Sequence, residues 1–201
     1  RYVFLVQNGI RGKETMSSYY ITCDKYFALT NEVITDEIGL LSVDNMYTIG
    51  SLQLYNNIVN LKNKVKNNKH DIVIIESLFS DTSSENEART YYHMKKNYMQ
   101  VLELLCEYSN KYENINILYQ PRRTKENTDH KDFFEQRDSI LENSNIVYNN
   151  NEEYNSYQAI MESSIVLYTY TTMGNEALML TKRVLCCNFL SQEKNDQIDA
   201  L

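Results

Sequence analysis

The segment TTMGNEAL, Thr171 to Leu178, sets two hydroxyls, a glycine and a carboxylate within six positions at the front of a helix-forming run. A strand that ends in small hydroxyl residues and turns through glycine into a helix exposes backbone N–H groups and the positive end of the helix dipole. That is a place to bind a phosphate. Thr171 and Thr172 could cap the helix or donate to an oxygen, and Gly174 would let a ligand come close to the backbone. Glu176, in the first turn, suits the dipole and could accept hydrogen bonds from sugar or ribose hydroxyls. Helix capping, with Gly174 admitting close packing of helix on strand, accounts for the same residues. Spacing alone does not separate the two.

A second candidate is QPRR, Gln120 to Arg123, which holds the one proline of the chain. Pro121 fixes the path after a strand, and Arg122 and Arg123 then stand where two guanidinium groups could grip phosphate oxygens by bidentate bonds. A solvated basic turn, balanced by Glu126 and Asp129, is the alternative.

Other chemistries lose their support in the same pass. No G-x-G-x-x-G follows a strand and no G-x-x-x-x-G-K-[ST] occurs, which removes the main sign of a dinucleotide oxidoreductase or a P-loop enzyme. G-x-S-x-G is absent, so there is no nucleophile elbow. His70, His93 and His130 are scattered, with no partner at ligand spacing, and no metal site is expected. No D-x-D pair offers carboxylates to a divalent ion. Cys23, Cys106, Cys186 and Cys187 form no metal pattern either, and reduced thiols are the expectation.

The elements that must carry these residues alternate. YVFLVQ (2–7), DKYFALT (24–30), MYTIGS (46–51), DIVIIES (71–77), INILYQ (115–120), NIVY (145–148), SIVLYTY (164–170) and RVLCCNFL (183–190) read as strands. Amphipathic stretches at 31–41, 52–68, 87–111, 130–143, 152–163 and 173–181 read as helices. DIVIIES is apolar without alternation, as expected of a parallel strand covered on both faces. The pattern predicts an α/β fold, a doubly wound, Rossmann-like parallel sheet with helices on both faces. Ligands in such folds sit at the carboxyl ends of the strands. Those ends carry Asn8 and Gly9, Glu76 and Ser77, Pro121 to Arg123, and Thr171 to Glu176.

The length of 201 residues allows one large domain or two small ones. A net charge of −7 gives no general attraction to nucleic acid, which excludes it as an expected partner. No apolar run is long enough for a membrane span. The chain opens at Arg1 directly into a strand-like run, and the expectation is that it begins within something larger.

YQAIMESSIVLYTYTTMGNEALMLTKRVLCCNFL (157–190) resembles the helix, strand and Ser/Thr-Gly-x-Glu-Ala turn of two-domain, glycosyltransferase-B-type sugar transferases. The nearest likeness is to bacterial surface-carbohydrate and capsule transferases, with teichoic-acid polyol-phosphate transferases as relatives. LVQNGIRG resembles their strand-turn "HG" segment, and ILYQPRR stands where they carry a "K-x-H-P-R" strand end. The resemblance implies a nucleotide-sugar donor and no cofactor or metal. Thr171, Thr172, Gly174 and Asn175 would line the donor phosphates, with Ser77 at a neighbouring strand end, and Glu176 would hold ribose or sugar hydroxyls. Arg122 and Arg123 would stabilise the leaving phosphate, and Asn8 would lie near the acceptor. Asn8 replaces a histidine of many relatives, and an amide cannot take a proton, so either the base comes from elsewhere or catalysis has been lost.

The expected organisation is a first-strand and linker segment over 1–50 and a donor-nucleotide-binding domain over 51–201. The implied partners are a nucleotide sugar and a glycan or lipid-linked acceptor. The expected location is the cytoplasm, with contact to the inner membrane face through a missing half. A sugar-nucleotide epimerase of the same fold and a non-catalytic Rossmann-like interaction module are the alternatives.

Overall fold

The computed structural model describes residues 2–6, 21–28, 41–61, 67–77, 85–122, 131–151, 153–180 and 182–187. They belong to two compact units, Arg1–Lys62 and Asn63–Leu201. Residues 1–50, expected as a first-strand and linker segment, fall within the first unit.

In the first unit, β1 (Phe4–Val6), β2 (Ile21–Ala28) and β3 (Leu41–Thr48) form a parallel sheet in the order β1-β2-β3. The second and third strands start three and five residues ahead of the expected positions. Cys23, Tyr26 and Ala28 of the middle strand are buried, with Val43 packed against them. Across the register, the Phe27 and Tyr47 rings stack at 5.5 Å, and the Lys25 ammonium lies 5.7 Å from the Phe4 ring. Gly50 takes a φ of 72°, a left-handed conformation that glycine adopts freely, and ends the strand segment. Ser51 Oγ then accepts the Leu54 N–H and caps α1 (Leu52–Leu61), the start of the helix expected over 52–68. The helix expected at 31–41 lies almost wholly outside the described residues, as do Asn8 and Gly9.

The second unit is a five-stranded, all-parallel sheet with helices on both faces. Its elements run β4 (His70–Ile75), α2 (Glu85–Lys111), β5 (Ile117–Gln120), α3 (Lys131–Leu141), β6 (Val147–Tyr148), α4 (Ser156–Met161), β7 (Ser163–Tyr168), α5 (Thr172–Met179) and β8 (Arg183–Cys186). The strand order is β6-β5-β4-β7-β8. Successive residues of β4 serve opposite faces: Ile74 joins Tyr98, Leu102, Leu105, Phe133 and Leu141, whereas Val73 and Ile75 join Ala159, Ile160 and Ala177. Two-sided burial is why β4 reads as an unbroken apolar run. The helices obey the three-and-four spacing: Tyr98, Leu102, Leu105 and Ser109 make one stripe, and Phe133, Arg137 and Leu141 another. Truncating a side chain as enclosed as Leu102 costs about 2–5 kcal/mol.

At the far end of the sheet the amino-terminal strand ends are tied together by charge. Buried Glu162 binds Lys69 Nζ at 2.8 Å, the Tyr154 hydroxyl at 2.8 Å and Gln158 Nε2 at 3.2 Å. Lys182 Nζ donates to the carbonyls of Met161 and Ser163, both at 2.7 Å. Among the described residues, no helix is long and apolar enough to cross a membrane.

Candidate functional site

The carboxyl ends of β4 and β7 flank the topological switch point. Chain order runs from β4 through β5 to β6 on one side, then returns to β7 and β8 on the other. In open α/β sheets the helices that follow strands diverging from such a point leave a crevice in which ligands bind. Three of the segments singled out in the sequence end at or beside it: Glu76–Ser77 after β4, Pro121–Arg122 after β5, and Thr169–Glu176 after β7.

Ser77 links the two central strands. Its hydroxyl lies 3.0 Å from Thr169 Oγ1 and accepts the Tyr170 N–H at 3.2 Å. Both Ser77 and Thr169 are buried, so paired hydroxyls join the carboxyl ends of β4 and β7.

Glu76, which the sequence reading left among strand-end residues without a role, is the hub of the contacts on the β5 side. Its side chain is wholly buried, yet each oxygen is satisfied. Oε1 accepts from Arg137 Nη1 at 2.8 Å and from the Tyr119 hydroxyl at 2.7 Å; Oε2 accepts the Arg122 N–H at 2.6 Å. The Tyr98 hydroxyl in turn donates to that of Tyr119 at 2.8 Å. Burial would loosen the proton of Arg137, but the bond to Glu76 and its charge more than offset this, so the guanidinium is held above its ordinary pKa. It also lies over the rings of Phe134, at 4.8 Å, and Tyr148, at 5.3 Å. Burial and then the charge of Glu76 push Tyr98 well above the usual tyrosine range, against the bond to Tyr119; burial, then Tyr98 and Glu76, push Tyr119 there too, so both keep their protons. Sequence alone gave no sign of the pair, because Arg137 sits in an amphipathic helix among other polar residues.

The turn after β5 is held from a third direction. Asn149 Nδ2 donates to Gln120 Oε1 at 2.7 Å, and Gln120 Nε2 to the Pro121 carbonyl at 3.3 Å. Pro121 is buried and Arg122 exposed; Arg123 lies outside the described residues.

At the start of α5, Thr171 is the N-cap, and its hydroxyl accepts the Met173 N–H at 3.3 Å. The Gly174 N–H is taken by the Thr171 carbonyl at 3.3 Å. Gly174 is buried, and a Cβ placed on it would overlap Cγ, Cδ1 and Cε1 of the Tyr168 ring. The face of this glycine is therefore filled by the strand's own tyrosine, the close-packing alternative of the sequence reading, rather than left open to a ligand. Asn175 and Glu176 are half-buried, and Glu176 Oε2 accepts the Tyr157 hydroxyl at 2.8 Å. Burial and this bond raise the Tyr157 phenol above its ordinary pKa. Thr172 lies in the first turn of the helix.

The carboxyl ends of the strands thus carry Ser77, Thr169 and Tyr170, the cap at Thr171, and the Arg122 turn. This can do the chemistry of anion binding: neutral donors at a helix start and a cation on a fixed backbone. Among the described residues no cluster of three or more His, Cys, Asp or Glu could hold a metal ion. No protein-family model matches the chain, and no curated protein matches its sequence.

Proposed function

We propose that this chain is the nucleotide-binding half of a glycosyltransferase-B-type enzyme that transfers a sugar, or a polyol phosphate, from a nucleotide-activated donor in bacterial surface-glycan synthesis. The observation that carries the proposal is the topological switch point between β4 and β7, with contacts that join strand ends whose sequences resemble those enzymes. In this reading the donor phosphates lie at Thr171, Thr172 and Asn175, and Glu176, oriented by Tyr157, takes the ribose hydroxyls. Arg122, with Arg123, meets the charge growing on the leaving phosphate, an interaction that strengthens toward the transition state and so accelerates the reaction. The missing D-x-D pair favours charge stabilisation by arginine. The acceptor is a glycan or a lipid-linked precursor.

The test is a thermal-shift panel of UDP, GDP, CDP and their sugar conjugates on wild type and Arg122→Ala. A ligand at about a hundred times its dissociation constant stabilises by about 2.7 kcal/mol. One nucleotide class should shift the wild type and shift the variant less. A folded wild type that responds to none of them refutes the proposal.

A second reading, a non-catalytic interaction module, draws support from Gly174 and Thr171, whose contacts serve packing and capping. It predicts that Arg122→Ala leaves every nucleotide affinity unchanged while altering capture of a protein partner.

A further inference from the structure

The dipeptide Glu76–Ser77 leaves the central strand between the segments that follow β5 and β7 and holds a backbone N–H of each. Ser77 Oγ takes that of Tyr170 at 3.2 Å, and Glu76 Oε2 takes that of Arg122 at 2.6 Å. The two oxygens of Glu76 divide the work. Oε1 receives the charge-balancing Arg137 and the Tyr119 hydroxyl, while Oε2 meets the Arg122 turn. For packing alone, an apolar pair of similar volume would serve as well as a buried ion pair. A carboxylate kept at this point in the sheet fixes something that an apolar side chain could not, namely the direction of one peptide group.

We infer that Glu76 is the positioning residue for Arg122: its buried carboxylate, balanced by Arg137, clamps the Arg122 peptide so that the guanidinium leaves the backbone in a set direction toward the donor phosphates. This rests on the donor-site reading above. A cation held on a fixed backbone loses less freedom when an anion arrives and needs no rearrangement as charge develops. Glu76 touches no substrate in this account and acts through Arg122.

The experiment measures the affinity of the full chain for UDP, GDP and CDP by calorimetry. It compares wild type, Arg122→Ala, the paired replacement Glu76→Leu with Arg137→Met, both changes together, and Glu76→Gln with Arg137→Met. The leucine–methionine pair removes the clamp without leaving a buried charge; the glutamine–methionine pair keeps an amide oxygen that can accept from the Arg122 N–H. Arg122→Ala should weaken binding about 10- to 100-fold. The leucine–methionine pair should weaken it to the same extent, with no further loss when Arg122→Ala is added, and the glutamine–methionine pair should recover most of it. A folded leucine–methionine protein that binds as wild type, or losses that multiply, would overturn this inference alone. A wild type that binds none of the three overturns the donor reading and this inference with it. Amide exchange by NMR on the unmodified protein gives a check free of folding defects: an Arg122 N–H that exchanges at the rate of an exposed amide also overturns the inference.

Discussion

Replacing Gly174 by alanine tests why a glycine stands at the start of α5. The added Cβ overlaps three carbons of the Tyr168 ring, and the ring cannot swing aside like the end of a flexible chain. Overpacking of that kind costs about 1–3 kcal/mol. Alanine in a helix is favoured over glycine by at most about 1 kcal/mol, and less in a first turn. The net expectation is a loss of about 1–2 kcal/mol, read as a lowered urea midpoint at unchanged m-value, followed by far-UV circular dichroism. The decisive step is the same change in a Tyr168→Ala background, where the overlap disappears. There Gly174→Ala should become neutral or stabilising, which gives a coupling of about 1–3 kcal/mol between the two positions. Gly174→Ala that stabilises the native tyrosine background, or a coupling near zero, refutes the packing account. If such a variant also lost nucleotide affinity, the glycine would belong to a ligand after all.

Three further outcomes follow from described contacts. Tyr119→Phe strips a hydrogen bond from both Glu76 and Tyr98, so it should cost about 2–3 kcal/mol, against about 1 kcal/mol for Tyr98→Phe; urea titration ranks them. Burial pushes the Glu162 carboxyl up, but the bonds from Lys69, Tyr154 and Gln158 together hold it below the ordinary value. A depressed folded pKa means stability that is present above the unfolded value, near 4.3, and lost as the pH falls through the folded one. Thermal melts from pH 6 down to pH 3 should therefore decline, and decline less steeply in Glu162→Gln. Asn155→Ala removes the N-cap of α4 and should lower stability by about 1 kcal/mol, measured in the same assay.

Much of the second unit was legible because its signals are local. Ile72–Ile75 is a continuous apolar run within its strand, Glu85–Lys111 a regular stripe, and Thr171 a capping residue just ahead of its helix. The misjudged boundaries have an equally physical origin. Asp44 and Asn45 look like a turn, yet they lie exposed within the edge strand Leu41–Thr48, where solvent tolerates polar side chains and pairing to β2 sets the register. Contacts across long separations were hidden. Arg137 lies 61 residues from Glu76, and nothing in DFFEQRDSIL marks its one arginine as turning inward. Gly174 was legible as unusual, but the reason for it is a ring six residues earlier that only the folded chain brings back against it.

The central place of β4 also bears on how the unit forms during synthesis. It is the first strand of its sheet to be made, and its two edges find partners at very different times. One closes on β5, whose Tyr119 lies 43 residues beyond Glu76, but the other waits for β7, and Thr169, just past its end, lies 92 residues beyond Ser77. At about 5–20 residues per second, the Ile-Val-Ile-Ile edge stays open for roughly 5–20 s on the ribosome. A stretch this apolar, unpaired for that long, is a ready template for another nascent chain. The slower the synthesis, the longer that edge waits for its second partner.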